Sequence, residues 1–212
     1  MFAVLLSDPV SSGFAASLAH PGGNITGLAS QYEEIVGKHV QLLSEAIPGL
    51  SRVVLLRHTA GLPTLLKEAE TAARRLGLKA GIVEVTDVAE YEGAFRIARS
   101  ERGEAVYVLP SPIFNAHRQR LVELAAKYRL PAAYELTEYV EAGGLLSYGP
   151  NTRSMYQRAA SYVDRILKGA KPGDLPIERA TKFELAINVN TAKALGLAIP
   201  QSLLGRADHL IE

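Results

Sequence analysis

The run Arg52-Val53-Val54-Leu55-Leu56, followed by a helical stretch and then by Ala80-Gly81-Ile82-Val83-Glu84-Val85, decides the fold. Both apolar runs are short, rich in β-branched residues and bounded by polar or turn residues, the pattern of strands buried on both faces. Between them Leu65, Ala69, Ala72 and Leu76 keep the spacing of one helix face up to a stop at Gly77. The pattern recurs at Ala105-Val106-Tyr107-Val108-Leu109 and at Pro131-Ala132-Ala133-Tyr134, so strands begin about every 26 residues. Phe95 and Ala98 mark one intervening helix, and Leu121, Leu124, Ala125 and Tyr128 the next. Strand and helix alternating at this period predict βαβ units and a parallel sheet covered on both faces.

Outward from this series, residues 1–30 read as a strand, the turn Asp8-Pro9, a helix from Ser12 to Ala19, the turn Pro21-Gly22-Gly23 and a second strand over Asn24 to Leu28. A helix from Glu33 to Ile47 leads into the main series. On the other side, Asn151 is the expected N-cap of a helix carrying Met155, Ala159, Tyr162 and Ile166 on one face and ending at Gly169. Lys171-Pro172-Gly173-Asp174-Leu175-Pro176 reads as a linker, Phe183 to Val189 as a strand, and Asn190 as the cap of a short helix through Leu195.

Composition narrows the function. The chain has 212 residues, 48% apolar, with 23 Lys plus Arg against 22 Asp plus Glu. A formal charge of +1 gives no field to recruit nucleic acid or an anionic membrane surface. Arg96, Arg99 and Arg102 lack aromatic interleaving and read as a solvated helix face. Without cysteine there is no disulfide, thiolate metal site or Cys nucleophile. No apolar run reaches the ~18–20 residues of a membrane span, and the opening Met1 to Leu6 reads as a strand.

Walker, dinucleotide-binding, nucleophile-elbow and zinc-protease motifs are absent, and His20, His39, His117 and His209 read as surface or capping residues, so neither a metal nor a cofactor is expected. In an open parallel sheet the functional crevice lies outside the carboxyl ends of the strands. There stand Ser7 and Asp8; Arg57, His58 and Thr59; Thr86 and Asp87; Ser111, Ile113 and Phe114; Tyr134 and Glu135; and Tyr148 to Asn151. Ser12, Asp87 and Asn151 also suit N-caps. Tyr128 and Tyr162 fall on apolar helix faces and read as core, whereas the Tyr134 and Tyr148 rings, at strand ends, could stack on a planar ligand.

Three ordered segments carry a resemblance. They are Ser7-Asp8-Pro9-Val10 with Ala16-Ser17-Leu18-Ala19-His20-Pro21-Gly22-Gly23-Asn24-Ile25-Thr26-Gly27-Leu28; Glu141-Ala142-Gly143-Gly144-Leu145-Leu146-Ser147-Tyr148-Gly149-Pro150-Asn151; and Thr181-Lys182-Phe183-Glu184-Leu185 with Lys193-Ala194-Leu195-Gly196-Leu197. Over essentially its whole length the chain resembles the tryptophan/tyrosine-type family of ABC-transporter substrate-binding proteins. The resemblance implies a type I periplasmic-binding-protein fold of three-layer α/β/α lobes with parallel sheets. Residues 31–150 would form a complete Rossmann-like lobe two, and residues 1–30 and 151–212 the remnant of lobe one. Lobe one would lack its N-terminal part and the export signal, and its uncovered edge would favour self-association.

The implied function is capture of a small molecule in the periplasm or another extracytoplasmic space, with lobe closure and delivery to an ABC permease in the membrane, and no catalysis. Carried over residue by residue, the implied ligand-binding set is Ser7, Asp8, Arg57, His58, Thr59, Ser111, Ile113, Phe114, Tyr134, Tyr148 and Asn151. Two loops depart from the family pattern, with His58-Thr59 in place of Asn-Pro and Ser111-Pro112 in place of Asp-Pro. Loss of the acidic group and the presence of Arg57 and His58 favour an aromatic or hydrophobic carboxylate, an amino acid included. A ligand-sensing regulatory domain of the same fold is the alternative. A small α/β enzyme using His58, Asp87 and Glu135 is a third reading.

Overall fold

A computed structural model describes residues 2–6, 8–30 and 32–212. In chain order its strands are β1 (Phe2–Leu6), β2 (Thr26–Ala29), β3 (Arg52–His58), β4 (Lys79–Val85), β5 (Ala105–Val108), β6 (Ala132–Tyr134), β7 (Leu146–Pro150), β8 (Glu178–Arg179), β9 (Phe183–Asn188) and β10 (His209–Ile211). The α-helices are α1 (Tyr32–Ala46), α2 (Pro63–Arg75), α3 (Tyr91–Ser100), α4 (Pro112–Ala116), α5 (Arg118–Lys127), α6 (Thr137–Glu141), α7 (Thr152–Leu167), α8 (Val189–Leu195) and α9 (Gln201–Leu204). The chain divides into two compact units, one of Met1–Tyr32 with Pro150–Phe183, the other of Glu33–Gly149 with Glu184–Glu212.

The larger unit is built on a seven-stranded sheet in the order β10-β9-β7-β6-β5-β3-β4. Strands β3 and β4 are parallel, as are β3 and β5, β5 and β6, β6 and β7, and β9 and β10. The chain starts this sheet at β3, adds β4 on one side, then returns to add β5, β6 and β7 on the other. That reversal puts a topological switch point between β3 and β5. Alternation then assigns the two faces. Val54 and Leu56 of β3 join Val106 and Val108 of β5 in a core completed by Phe95 of α3 and by Leu121 and Leu124 of α5. Val53 and Leu55 are equally buried and point the other way. An added Cβ at Gly37 of α1 would lie 3.4 Å from the Ala72 Cβ of α2, so these two helices pack closely together.

The tail is a correction. From Glu184 onward it extends the seven-stranded sheet through β9 and β10, in the same unit as β3 to β7 rather than with residues 1–30. Asp208 fastens it, its carboxylate accepting from the Leu185 N–H at 2.8 Å while its own N–H donates to the Leu185 carbonyl. Asn188, not Asn190, caps α8 by accepting from the Thr191 N–H at 2.8 Å.

In the smaller unit β1, β2 and β8 form a three-stranded parallel sheet. Met155, Ala159 and Tyr162 of α7 pack on Leu28, Leu175 and Ala180, as the helical spacing predicts. The expected helix over Ser12 to Ala19 is instead a series of turns. The Asp8 carboxylate accepts from the Val10 and Ser11 N–H groups, and those of Phe14 and Ala15 converge on the Pro9 carbonyl, while Gly13 is left-handed at φ +74°. This local bonding competes with the helical ladder and wins. The expected linker is also packed structure. Its Leu175 is buried, the Thr26 hydroxyl donates to the Leu175 carbonyl at 2.8 Å, and a Cβ on Gly173 would fall 2.6 Å from the Gly23 carbonyl.

Candidate functional site

The carboxyl ends of β3 and β5 flank the switch point, and the loops that leave them meet there. After β3 the chain turns sharply, with the Gly61 N–H donating to the His58 carbonyl at 2.8 Å. A Cβ on Gly61 would lie 3.0 Å from that carbonyl and 3.8 Å from the Pro110 carbonyl of the loop after β5, so glycine lets the two loops approach. Across the top, the Thr59 and Thr86 hydroxyls are 3.2 Å apart, which links the β3 loop to the β4 loop.

His58 is 4% exposed. Its Nδ1 accepts from the Ala60 N–H at 3.0 Å, which assigns the proton of the neutral ring to Nε2. Phe114 meets this imidazole edge to face at 5.6 Å, and Phe114 in turn meets the Tyr91 ring edge to face at 5.4 Å. Ser111 caps α4 by accepting from the Ile113 N–H at 3.3 Å, and the Ile113 side chain projects outward. The rim therefore combines the exposed hydroxyls of Thr59 and Thr86 and the exposed aliphatic Ile113, above the buried His58.

Arg57 is differently placed from the sequence expectation. It stands opposite Glu84 in the β3–β4 register and is ion-paired to it, and its Nη2 also donates to the Gly61 carbonyl at 3.3 Å. Its charge is already matched within the protein. Phe114 and Tyr134 have no accessible surface, and the Tyr134 ring is stacked on Tyr139 at 4.5 Å. This corrects the expectation that the Tyr134 ring is open to a ligand: it closes the core at the end of β6. Burial raises the Tyr134 and Tyr139 phenols well above the ordinary tyrosine range. Asp87 caps the turn before α3, accepting from the Ala89 N–H at 2.8 Å, and Glu90 returns to the Thr86 N–H at 2.7 Å.

Tyr148 is half-buried, its ring 6.2 Å from His39 at 71°. His39 itself corrects its assignment to the surface. It is fully buried, stacked on Tyr107 at 4.8 Å, with Nδ1 3.0 Å from the Ile35 carbonyl, and burial pushes its pKa down to about 4. The signal was present in the sequence, since residue 39 shares a helix face with Val36 and Leu43. Asp8 and Asn151 lie in the smaller unit. The hydrogen bonds from Ser11 lower the Asp8 pKa, and Asn151 caps α7 through the Ser154 N–H at 2.6 Å, as expected. Ser7 lies outside the described residues. Among the described residues no three His, Asp or Glu side chains converge as a metal would require, and no helix is long and apolar enough to cross a membrane.

Comparison with known proteins agrees with this architecture. The family model described as ABC transporter substrate binding protein matches residues 2–211. A tyrosine-binding protein of Clostridioides difficile is 22% identical over 194 residues, which are 91% of this chain and 55% of that protein. The chain thus spans about half the length of this relative. Among solved structures, a conserved domain protein from Vibrio cholerae has a TM-score of 0.85 and 27% identity, covering 96% of this chain and 69% of that one. An ABC domain from Streptococcus pneumonia in complex with L-Trp gives a TM-score of 0.89 at 24% identity, covering 99% and 71%. A ribose ABC transporter protein from Conexibacter woesei, described as periplasmic, matches at a TM-score of 0.59 and 14% identity over 92% of this chain and 67% of that one, so the fold is of the periplasmic-binding-protein type.

Proposed function

The chain belongs to the family of ABC transporter substrate binding proteins, and from that premise we propose that its larger unit captures a small molecule at the β3–β5 rim for import by a membrane permease. The observation that carries the location is the strand order. It places the switch point between β3 and β5, where His58, Thr59 and Ile113 gather. Parallel sheets bind ligands at such a point because loops diverge there and leave a crevice.

The proposed ligand is an aromatic amino acid or a related aromatic carboxylate. Relatives that bind tyrosine or L-Trp support that class. The rim chemistry refines it. Because Arg57 is paired with Glu84, a ligand carboxylate takes its hydrogen bonds from the His58 Nε2–H and the Thr59 hydroxyl, and Ile113 offers an apolar surface to the ring. The protein makes and breaks no bond in this role. Asp87, an acid–base candidate by position, is occupied in holding the α3 turn. The proposed place of work is outside the cytoplasmic membrane.

A thermal-shift screen against amino acids, aromatic acids, sugars and cations tests the reading. A true ligand at ~100 times its dissociation constant adds roughly 2.7 kcal/mol to stability. Stabilisation by tyrosine, tryptophan or aromatic acids is expected. Stabilisation by sugars or cations alone would overturn the ligand class.

A further inference from the structure

A cavity lies at the end of the larger unit's sheet away from the β3–β5 rim, near the amino ends of β6 and β7. It arises from a short crossover. Parallel neighbours are usually joined by a dozen or more residues that include a covering helix. Between β6 and β7 that helix is α6, only 5 residues long, and the chain then runs through Gly143 and Gly144. The space a longer helix would fill is left between α5 and α8 as a pocket of about 170 Å³.

Val122, Leu130, Leu145 and Leu195 line this pocket, with Tyr134 in its wall and Arg129 at its mouth. One polar feature distinguishes it from a packing defect. Arg129 is exposed, has left-handed backbone at φ +51°, and spends one N–H on the Ala194 carbonyl of α8 at 3.1 Å. Its remaining donors are available, and Arg129 is held against α8 by that bond. An apolar cavity of roughly 150 Å³ accommodates one benzene ring.

We propose that this α5–α8 pocket is a second ligand site, taking a single-ring aromatic carboxylate whose ring enters the apolar cavity and whose carboxylate meets the Arg129 guanidinium. The site is separate from the β3–β5 rim and does not depend on what the rim binds.

Benzoate is the probe, titrated into the isotope-labelled chain and followed by amide NMR. Saturable shifts at Leu130, Leu145 and Leu195 are expected. Ala194→Phe, at an exposed position of α8 that lines the cavity, fills it and abolishes the shifts. Arg129→Asn keeps a residue suited to left-handed backbone but removes the charge, and weakens benzoate by about tenfold. Absence of saturable shifts, unchanged binding in Ala194→Phe, or benzyl alcohol binding as tightly as benzoate would each overturn the assignment.

Discussion

Gly149, at the end of β7, is pressed against the Glu135 carbonyl that follows β6, so closely that a Cβ on Gly149 would fall 1.7 Å from that oxygen. Its φ is not left-handed, so the requirement is for space and not for backbone freedom. Gly149→Ala must push the β6 and β7 ends apart, and overpacking of this kind costs about 1–3 kcal/mol or somewhat more. Urea unfolding is expected to show that loss, while Gly23→Ala, with nothing within 4 Å of the new Cβ, stays close to the parent.

His39 gives the fold a pH dependence of known sign. Its folded pKa, about 4, is depressed by burial, whereas an unfolded histidine titrates near ~6.5. Between those values the unfolded chain binds the extra proton, so stability is full above pH ~6.5 and falls toward pH ~4, by up to about 3 kcal/mol. His39→Phe is expected to flatten this part of the stability profile. A slope that persists unchanged would place the titration elsewhere.

Arg57 and Glu84 form an ion pair in which the arginine side chain is 14% exposed and that of the glutamate 46%. Removing one partner of a pair whose other charge is largely buried leaves that charge uncompensated. Glu84→Gln therefore destabilises the fold, and a bound anion can take the place of the lost carboxylate. A gain in affinity for anionic over neutral ligands, measured by calorimetry and suppressed by salt, is the expected outcome.

The buried Tyr134 hydroxyl lacks a partner in the free protein. Removing an unsatisfied buried group lifts its desolvation penalty, roughly 1–3 kcal/mol for groups of this kind. Tyr134→Phe is thus expected to be neutral or stabilising by thermal melt, against the usual direction for a fully buried residue.

The central series was legible because each strand of a parallel sheet is a continuous apolar run and each crossover carries its own helical period. β3 to β6 and α1, α2, α3 and α5 follow those patterns. Residues 12–19 misled because Ala15, Ala16, Leu18 and Ala19 suit a helix locally, while the Asp8 carboxylate and Gly13 commit the backbone to turns. The tail misled because the pattern of Phe183 to Asn188 marks a strand without saying which sheet edge it joins. At the site, position along the chain identified the β3 and β5 loops. Which side chains stay open depends on register and face. Arg57 is neutralised by the residue opposite it on β4, and Tyr134, although it ends a strand, points into a sheet covered on both sides.

The most direct test of the account is an amide NMR titration of this chain with L-tyrosine and L-tryptophan, repeated on His58→Ala. Binding at the β3–β5 rim predicts saturable shifts at Thr59, Ala60, Gly61 and Ile113, and an affinity about tenfold weaker in His58→Ala, the cost of one hydrogen bond to a charged ligand group. No saturable response to either amino acid, or a response that avoids these amides and is unchanged in His58→Ala, would contradict it.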